Sequence, residues 1–302
     1  MHLTGLHLLL TYCCTSECDH CFVYSSPQAP GTMSLRMAKD AVKQAAGLSS
    51  VREIWIEGGE PFMYYPILLE IVGYAHACGL DTGIVTNAYF AETVDDALTW
   101  LVPLQAAGLT KLSISNDTFH SETDPHAPDV EHLVEGARRL ELDAGTIYVE
   151  QPGATANTNA KGEPITGGSI RFRGRAVETL AEKHTAERPW QTLNECPDED
   201  WDDVGRLHLD AYGNLFSCQG IVFGNLNDRP LAQIVRQYRP QSHPIIGPLH
   251  HGGPAELVRK FKLPLDGNFL DACHLCYAAR QLLREQHPQY LAPAQVYGIN
   301  NS

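Results

Sequence analysis

Three cysteines close to the N-terminus have the type and spacing of metal ligands. Cys14, Cys18 and Cys21 form a C-x3-C-x2-C pattern directly after the apolar run Leu6–Leu10. Three thiolates from one short loop can hold three irons of a cubane cluster, whereas a typical four-iron cluster takes four cysteines. One iron would therefore be open to a ligand that is not protein. A zinc site and plain thiols are the alternatives, although zinc usually takes four ligands, often in C-x2-C pairs.

A second group of cysteines lies in the last third of the chain. Its members are Cys196, Cys218, Cys273 and Cys276. The last two form a C-x2-C pair at the start of a predicted helix over Cys273–Gln286, and Cys218 ends a predicted β-hairpin. Four thiolates complete the coordination of a second cluster. A zinc site with the same four ligands remains the alternative, because the ligand set alone does not separate the two metals.

Length, charge and composition narrow the class of protein. A chain of 302 residues that is 43% hydrophobic can build a sizeable core. Its formal net charge of −14 argues against a nucleic-acid partner, since such binding depends on Lys and Arg. Leu6–Leu10 is too short for a membrane span and lacks the basic start of a signal peptide, so it predicts a buried strand. We expect a cytoplasmic protein whose nine cysteines are ligands or free thiols.

Predicted strands and helices alternate through the first two-thirds of the chain. The six predicted strands are His7–Thr11, Val51–Glu57, Asp81–Thr86, Lys111–Ser115, Gly145–Glu150 and Ser169–Arg175. The five predicted helices are Met33–Leu48, Pro66–Cys78, Thr93–Ala107, Asp129–Leu142 and Ala176–His184. This order predicts βαβ units and a parallel sheet, with site residues where the strands end.

Two further stretches stand apart from this alternation. Residues 151–168 are rich in Gly, Thr, Asn and Pro without any period, which is typical of either a substrate lid or a mobile insertion. Farther on, Arg206–Ala211 and Leu215–Cys218 flank the turn residues Tyr212-Gly213-Asn214, a pattern that predicts a β-hairpin.

The sequence resembles the radical SAM superfamily in two motifs. They are the C-x3-C-x2-C loop and the turn Gly58-Gly59-Glu60-Pro61 after the second predicted strand. In that family the open iron of a [4Fe-4S] cluster binds the amino and carboxylate groups of S-adenosyl-L-methionine (SAM), and the glycine-rich turn meets the amino group. The resemblance implies that Gly58, Gly59 and Glu60 bind SAM. Glycine allows close backbone approach, and a carboxylate favours a nearby cation.

The resemblance implies further site residues where later strands end. Asn87, Ser115 and Glu150 follow or end the third, fourth and fifth strands, and relatives bind SAM at these places. Ordinary capping of a strand end is the alternative for Asn87 and Ser115. Asp117 and His120 lie one step beyond the fourth strand, and they are candidate catalytic residues on the substrate side, with solvated loop groups as the alternative.

A group of three arginines follows the predicted loop. Gly174-Arg175-Ala176 resembles a Gly-Arg-Ala element after the sixth strand of several relatives, which makes Arg175 a candidate catalytic residue. Arg171 and Arg173 are further candidate anchors for an anionic or hydroxyl group. A solvated edge strand explains two of the three arginines equally well.

The second cysteine group resembles the twitch domain, a shortened form of the SPASM domain. There, one cysteine precedes a hairpin, one follows it, and a C-x2-C pair comes from a later helix. A full SPASM domain needs more cysteines after Cys276, and the sequence has none. We therefore expect one auxiliary iron–sulfur cluster, of the [4Fe-4S] type, with a [2Fe-2S] cluster as the alternative. The predicted fold is α/β, with a partial (β/α)6 TIM-type barrel as radical SAM core (1–185) and a small α+β twitch/SPASM-like domain (186–302).

The resemblance also implies a reaction. An external donor of the flavodoxin or ferredoxin type supplies an electron, SAM is cleaved to a 5′-deoxyadenosyl radical, and the radical abstracts a hydrogen atom. An auxiliary cluster with four protein ligands has no open iron, so its expected role is to accept an electron. This favours a dehydrogenase-type oxidation of a small polar substrate, such as a sugar or aminocyclitol alcohol.

Two other functions remain open. One is a peptide-modifying enzyme that makes a crosslink, a thioether or an inverted stereocentre. We expect no leader-binding module before the first strand, and this counts against that function. The other is a non-enzymatic iron–sulfur redox sensor or a zinc-binding module. The three-cysteine loop with its open iron counts against that last class.

Overall fold

The computed structural model describes residues 1–123, 129–150 and 166–299. The chain divides into two compact units. The sheet unit contains Thr4–Cys18 and Ser25–Ile170, and the C-terminal unit contains Met1–Leu3, Asp19–Tyr24 and Arg171–Ser302. The division follows Ile170, while the predicted domain boundary after residue 185 stays a prediction. In the described residues, no helix has the length and apolar character needed to cross a membrane.

Six strands form the parallel part of the sheet unit. They are β1 (Gly5–Thr11), β2 (Glu53–Gly58), β3 (Asp81–Thr86), β4 (Lys111–Ser115), β5 (Asp143–Glu150) and β6 (Thr166–Ser169). Each strand pairs in parallel with the next one along the chain. The strands β3 and β4 have the bounds that the sequence predicts. The predicted parallel α/β sheet is confirmed, and it is consistent with a partial TIM-type barrel.

Helices connect these strands. They are α1 (Leu35–Ala46), α2 (Tyr65–Ala77), α3 (Val94–Ala107), α4 (Thr118–Thr123) and α5 (Val130–Arg139). Ser34 is the N-cap of α1, because its side chain accepts a hydrogen bond from the Met37 amide. Gly108 ends α3 with φ +110, a conformation that favours glycine. The short helix α4 was not predicted, and it follows directly on Asp117.

The prediction of the sixth strand over Ser169–Arg175 is wrong. The strand β6 ends at Ser169, and Thr166 to Gly168 come from the stretch predicted as a loop. The chain leaves the extended conformation because the Arg173 amide donates to the Arg171 carbonyl at 2.8 Å and Gly174 has φ +62. The three arginines therefore follow the sheet rather than lie on an edge strand. The rest of the predicted loop, 151–165, lies outside the described residues.

The C-terminal unit has mixed elements. In chain order these are α6 (Ala176–Thr179), β7 (Arg188–Pro189), β8 (Arg206–Leu209), β9 (Asn214–Phe216), β10 (Val222–Asn225), α7 (Leu231–Gln237), α8 (Ile246–Phe261), β11 (Asn268–Phe269) and α9 (Ala272–Leu283). The hairpin of β8 and β9 is antiparallel, as predicted, and β10 extends it. The helix that was predicted to extend from Ala176 to His184 is shorter, with a 3-10 turn at Ala181–Lys183.

Two helices of this unit were not predicted. The helix α7 is short, and α8 is broken at Gly252 and Gly253, whose backbone angles are not helical. Proline and glycine in this stretch hide a helical period from the sequence. The helix α9 begins after its N-cap Asp271 and carries the C-x2-C pair in its first turns, as the sequence predicts.

Candidate functional site

The glycine-rich turn is fastened to the start of the cysteine loop. The Gly59 amide donates to the Thr11 carbonyl at 2.6 Å, and the Glu60 amide donates to the Cys13 carbonyl at 2.9 Å. Gly58 has φ +144, and a Cβ atom on Gly59 would collide with the Cys13 carbonyl oxygen. Glycine is therefore required here because two backbone segments meet, and this contact links the two predicted motifs.

The Glu60 carboxylate joins the ends of β2 and β3. It is fully buried, and it accepts hydrogen bonds from the Phe62 amide at 3.0 Å, the Thr86 hydroxyl at 2.9 Å and the Asn87 amide at 2.8 Å. Burial raises the pKa of Glu60 to about 7, against the opposing effect of these donors. Both carboxylate oxygens thus have partners in the protein, so Glu60 orders this strand end whatever else it binds.

Asn87 lies against the cysteine loop. Its side-chain amide donates to the Thr15 hydroxyl at 3.0 Å and points at the Cys14 sulfur at 3.7 Å. The Ser16 amide also donates to the Cys14 sulfur, at 3.4 Å. Cys14 is buried. The structure thus brings together Cys14 and Asn87, two of the predicted site residues, and gives the sulfur the donors that a thiolate ligand needs.

Asp117 and His120 form a second support for the loop. The Asp117 carboxylate is buried and lies 2.8 Å from Nδ1 of His120, whose side chain also hydrogen bonds with Cys18. Burial alone would lower the pKa of His120, but the bonds to Asp117 and Cys18 outweigh it and raise the pKa to about 10. The sequence suggested the substrate side for both residues, and it gave no signal of the contact with Cys18.

Ser115 and Glu150 lie at the ends of neighbouring strands. Ser115 is half-buried at the end of β4, where it pairs with Ile147 of β5. Glu150 ends β5, and its buried Oε2 has no hydrogen-bond partner in the part of the chain that the structure describes. A buried acceptor without a donor is costly, so this oxygen is suited to a donor group from a ligand.

The Gly-Arg-Ala element holds the end of the cysteine loop within the C-terminal unit. The Arg175 amide donates to the Cys21 carbonyl at 3.0 Å, and its guanidinium lies over the Tyr24 ring at 5.5 Å. A Cβ atom on Gly174 would lie 2.5 Å from Cα of Phe22. Arg175 is buried. These contacts assign the element a role in positioning Cys21, which the sequence did not suggest.

The four cysteines of the second group line one cavity of the C-terminal unit. Its lining includes Cys196, Cys218, Cys273 and Cys276. Burial, followed by the nearby Cys218, raises the pKa of the Cys196 thiol to about 12. A bound metal would lower the pKa of this thiol, since the thiolate is the form that binds metal. Residues separated by up to 80 positions in the chain thus line the same cavity.

Two arginines also line this cavity. Arg173 donates from Nη1 to the Cys218 sulfur at 3.3 Å. Arg280 lies four residues after Cys276 on α9 and hydrogen bonds with its sulfur. Sequence reasoning treated Arg173 only as a possible anchor and missed Arg280. A spacing of four residues within a helix places two side chains on one face, and this signal could have identified Arg280.

Known proteins match part of the chain. Residues 8–145 match the sequence profile of the Radical SAM superfamily. A putative peptide biosynthesis protein YydG of Bacillus subtilis is 23% identical over 108 residues, 36% of this chain and 34% of that protein. A probable GTP 3′,8-cyclase of Methanothermobacter marburgensis is 30% identical over 122 residues, 40% of this chain and 37% of that protein. The chain thus spans about a third of the length of these relatives.

A solved structure is similar over a larger share of the chain. The structure of native anSMEcpe with bound AdoMet is 11% identical, with a TM-score of 0.48, and the alignment covers 95% of this chain and 97% of that one.

Proposed function

We propose that this chain, which carries a radical SAM superfamily domain over residues 8–145, is an enzyme that oxidises a small polar substrate by a dehydrogenase-type reaction. The observation that carries the proposal is the pairing of a three-cysteine loop with a separate four-cysteine cavity. The first set leaves an iron open for SAM, and the second closes the coordination of its metal centre.

Cys14, Cys18 and Cys21 would hold the first [4Fe-4S] cluster. The sulfurs of Cys14 and Cys18 fit this role because both are buried and both have hydrogen-bond partners beside them. SAM bound there would supply a 5′-deoxyadenosyl radical for hydrogen abstraction. Gly58 and Gly59 let the turn pack directly against the backbone at the start of the loop, and Glu60 fixes the position of Asn87.

The remaining SAM-binding candidates are Ser115 and Glu150. Glu150 is the stronger of the two, because its buried oxygen has no donor among the described residues and fits a hydroxyl or amino donor of SAM. Ser115 lies where the next strand ends, and strand ends carry the sites of barrel folds. We assign Asp117 and His120 to holding Cys18, and Arg175 to holding Cys21.

The four-cysteine cavity fits an auxiliary cluster. All four donors are thiols, which suit iron–sulfur clusters and zinc, and two arginines lie beside them. Four protein ligands leave no position for a substrate, so electron transfer is the role that this site supports. An electron acceptor in a radical enzyme favours net oxidation of its substrate over rearrangement.

Peptide modification is a second candidate function. The match to a putative peptide biosynthesis protein favours it, although that match covers 34% of the relative. The two candidates differ in the substrate that stimulates SAM cleavage. A sugar or aminocyclitol alcohol should stimulate release of 5′-deoxyadenosine in the first case, and a precursor peptide in the second.

Iron content and SAM cleavage test the proposal together. Anaerobically reconstituted protein should hold about eight irons, as two four-iron clusters require, and should release 5′-deoxyadenosine when given a reductant and SAM. The variant Cys14→Ala/Cys18→Ala/Cys21→Ala should lose about four irons and all SAM cleavage. Cys273→Ala should still cleave SAM but form no oxidised product.

Cys78→Ala is the matched control, since Cys78 is the C-cap of α2 and belongs to neither cysteine group. It should keep about eight irons. Zinc, or only four irons, in the unaltered chain would reject the two-cluster assignment. Oxidised product from Cys273→Ala would reject the electron-acceptor role.

A further inference from the structure

Arg280 is a buried cation that has no carboxylate partner among the described residues. Its side chain is 2% exposed, and Nη1 donates to the Gln219 carbonyl at 2.9 Å and to the Tyr297 hydroxyl at 3.4 Å. The rings of Tyr277 and Tyr297 lie 5.7 and 5.6 Å from the guanidinium carbon. The buried Nε has no hydrogen-bond partner among the described residues.

A buried guanidinium needs an anion. Isolated charges are rarely buried, because removing them from water costs far more than neutral contacts return. Within the described part of the chain, no carboxylate forms an ion pair with Arg280. Besides the neutral groups named above, its side chain hydrogen bonds with the Cys276 sulfur. The four-residue spacing on α9 fixes this contact.

Arg173 approaches the same cavity from another segment of the C-terminal unit. Its Nη1 lies 3.3 Å from the Cys218 sulfur, and the guanidinium packs over the Phe22 ring at 5.0 Å. Asp198 and Glu199 also line the cavity, so the surroundings of the four sulfurs contain charges of both signs. Both arginines donate to sulfurs, whereas the Asp198 carboxylate accepts a hydrogen bond from the Cys273 thiol at 3.5 Å.

We propose that Arg173 and Arg280 are positioning residues of the four-cysteine site, which hold an anionic iron–sulfur cluster by donating to the sulfurs of Cys218 and Cys276 and raise its reduction potential. This inference rests on the proposed function. A cluster with four thiolate ligands is an anion, and it supplies the negative charge that Arg280 lacks. Each electron added makes the cluster more negative, so nearby cations and sulfur hydrogen bonds favour the reduced form. A raised potential suits an electron acceptor.

The reduction potential of the second cluster tests the inference directly. We would use the full chain with Cys14→Ala/Cys18→Ala/Cys21→Ala, so that the second cluster is the one observed, and titrate it with redox mediators while following its electron paramagnetic resonance signal. Arg280→Gln should lower the equilibrium constant for reduction by about tenfold, which is about 59 mV for one electron. Arg173→Gln should shift the potential in the same direction.

Two further variants separate charge from structure. Arg280→Lys keeps the charge but loses the planar fork, so it should load iron normally and show a smaller decrease in potential. Arg284→Gln is the matched control, because Arg284 is the C-cap of α9, one turn beyond Arg280, and should leave the potential unchanged.

The outcomes separate this inference from the proposed function. About four irons in the second site with an unchanged potential in Arg280→Gln, Arg280→Lys and Arg173→Gln would overturn the role of the arginines alone. Zinc or no metal at the four cysteines, with both arginines present, would instead overturn the two-cluster function. If Arg280→Gln did not load iron, the reduction potentials of Arg280→Lys and Arg173→Gln would test the inference in its place. A lower potential in these two variants would support it, and unchanged potentials would overturn it.

Discussion

At the scale of single residues, the site depends on buried polar groups that hold backbone and sulfur in place. Glu60 is the clearest case, because its carboxylate joins two strand ends while lying fully out of water. The same pattern recurs where His120 links Asp117 to Cys18. Burying such groups removes them from water, which is unfavourable, and several directed hydrogen bonds offset this loss. The same hydrogen bonds fix the geometry of the cysteine loop.

Glu60 should make stability depend on pH. Its folded pKa of about 7 lies above that of an unfolded carboxyl, so this contribution to stability is fully present below the unfolded pKa and is lost as pH rises through 7. Between pH 8 and pH 6, the wild type should gain about 1.4 kcal/mol relative to Glu60→Gln. Urea unfolding at the two pH values measures this difference.

Glu70→Gln serves as the control for this measurement. The Glu70 carboxylate pairs with Lys39 at the exposed surface, 2.7 Å away. Its substitution should leave the pH dependence of unfolding as in the wild type. The assignment to Glu60 fails if Glu60→Gln retains the full difference between pH 6 and pH 8.

At the scale of elements, the helix α9 carries half of the second cysteine group. Its N-cap Asp271 accepts from the His274 amide at 2.7 Å and from the Phe172 amide at 3.2 Å. One carboxylate thus starts the helix and fixes it to the segment that carries Arg173. The positions of Cys273 and Cys276, in the first turns, depend on this cap.

Asp271→Ala should weaken the second cluster selectively. Loss of an N-cap costs about 1 kcal/mol, and here the bond to Phe172 is lost as well. We expect reduced iron content in the second site, measured in the background without Cys14, Cys18 and Cys21. Asp271→Asn should restore part of it, because asparagine caps helices about as well as aspartate but has one acceptor oxygen, so the bond to Phe172 stays lost.

The helix α5 offers the matched control for this cap. Asp129 is its N-cap and accepts from the Glu131 amide, and no cysteine lies in its first turn. Asp129→Ala should therefore cost similar stability without loss of iron. Equal iron loss in the two alanine variants would show that general destabilisation, and not the position of α9, is responsible.

At the scale of the whole molecule, the cysteine loop belongs to both compact units. Its first two cysteines lie in the sheet unit, and Asp19–Tyr24 groups with the C-terminal unit. Within the C-terminal unit, the Thr179 hydroxyl donates to the Asp19 carbonyl at 2.8 Å, and the Tyr24 hydroxyl donates to Glu178 at 2.7 Å. A segment that contains Cys21 is thus held by residues more than 150 positions later.

Gly174→Ala should therefore reduce the iron content of the first cluster, although Gly174 lies far from its three cysteines in the sequence. Its Cβ atom would meet the backbone of Phe22 and displace the segment that contains Cys21. In a background without the four later cysteines, we expect a clear loss of iron and of 5′-deoxyadenosine release. Gly267→Ala is the control, because Gly267 has φ +83 and nothing within 4 Å of its Cβ position. Equal losses in both variants would point to backbone strain alone.

The sequence determined the features that depend on near neighbours. Cysteine spacing, strand and helix alternation, and caps such as Ser34 are local, because the groups involved lie within a few residues of one another. The prediction of the sixth strand from the sequence failed because a turn between Arg171 and Gly174 interrupts a stretch whose residue pattern is typical of a strand. Sequence reasoning also missed α8, whose glycines and prolines hide the helical period.

Only the tertiary structure decided which groups reach the sulfurs. His120 meets Cys18 and Arg173 meets Cys218 because separate segments pack together, and no local pattern encodes such distances. The same holds for the Glu150 oxygen, which packing buries without a donor from the part of the chain that the structure describes. The three-cysteine loop could thus be recognised from spacing alone, while its supports arise from long-range packing, in which each buried polar group must find a partner.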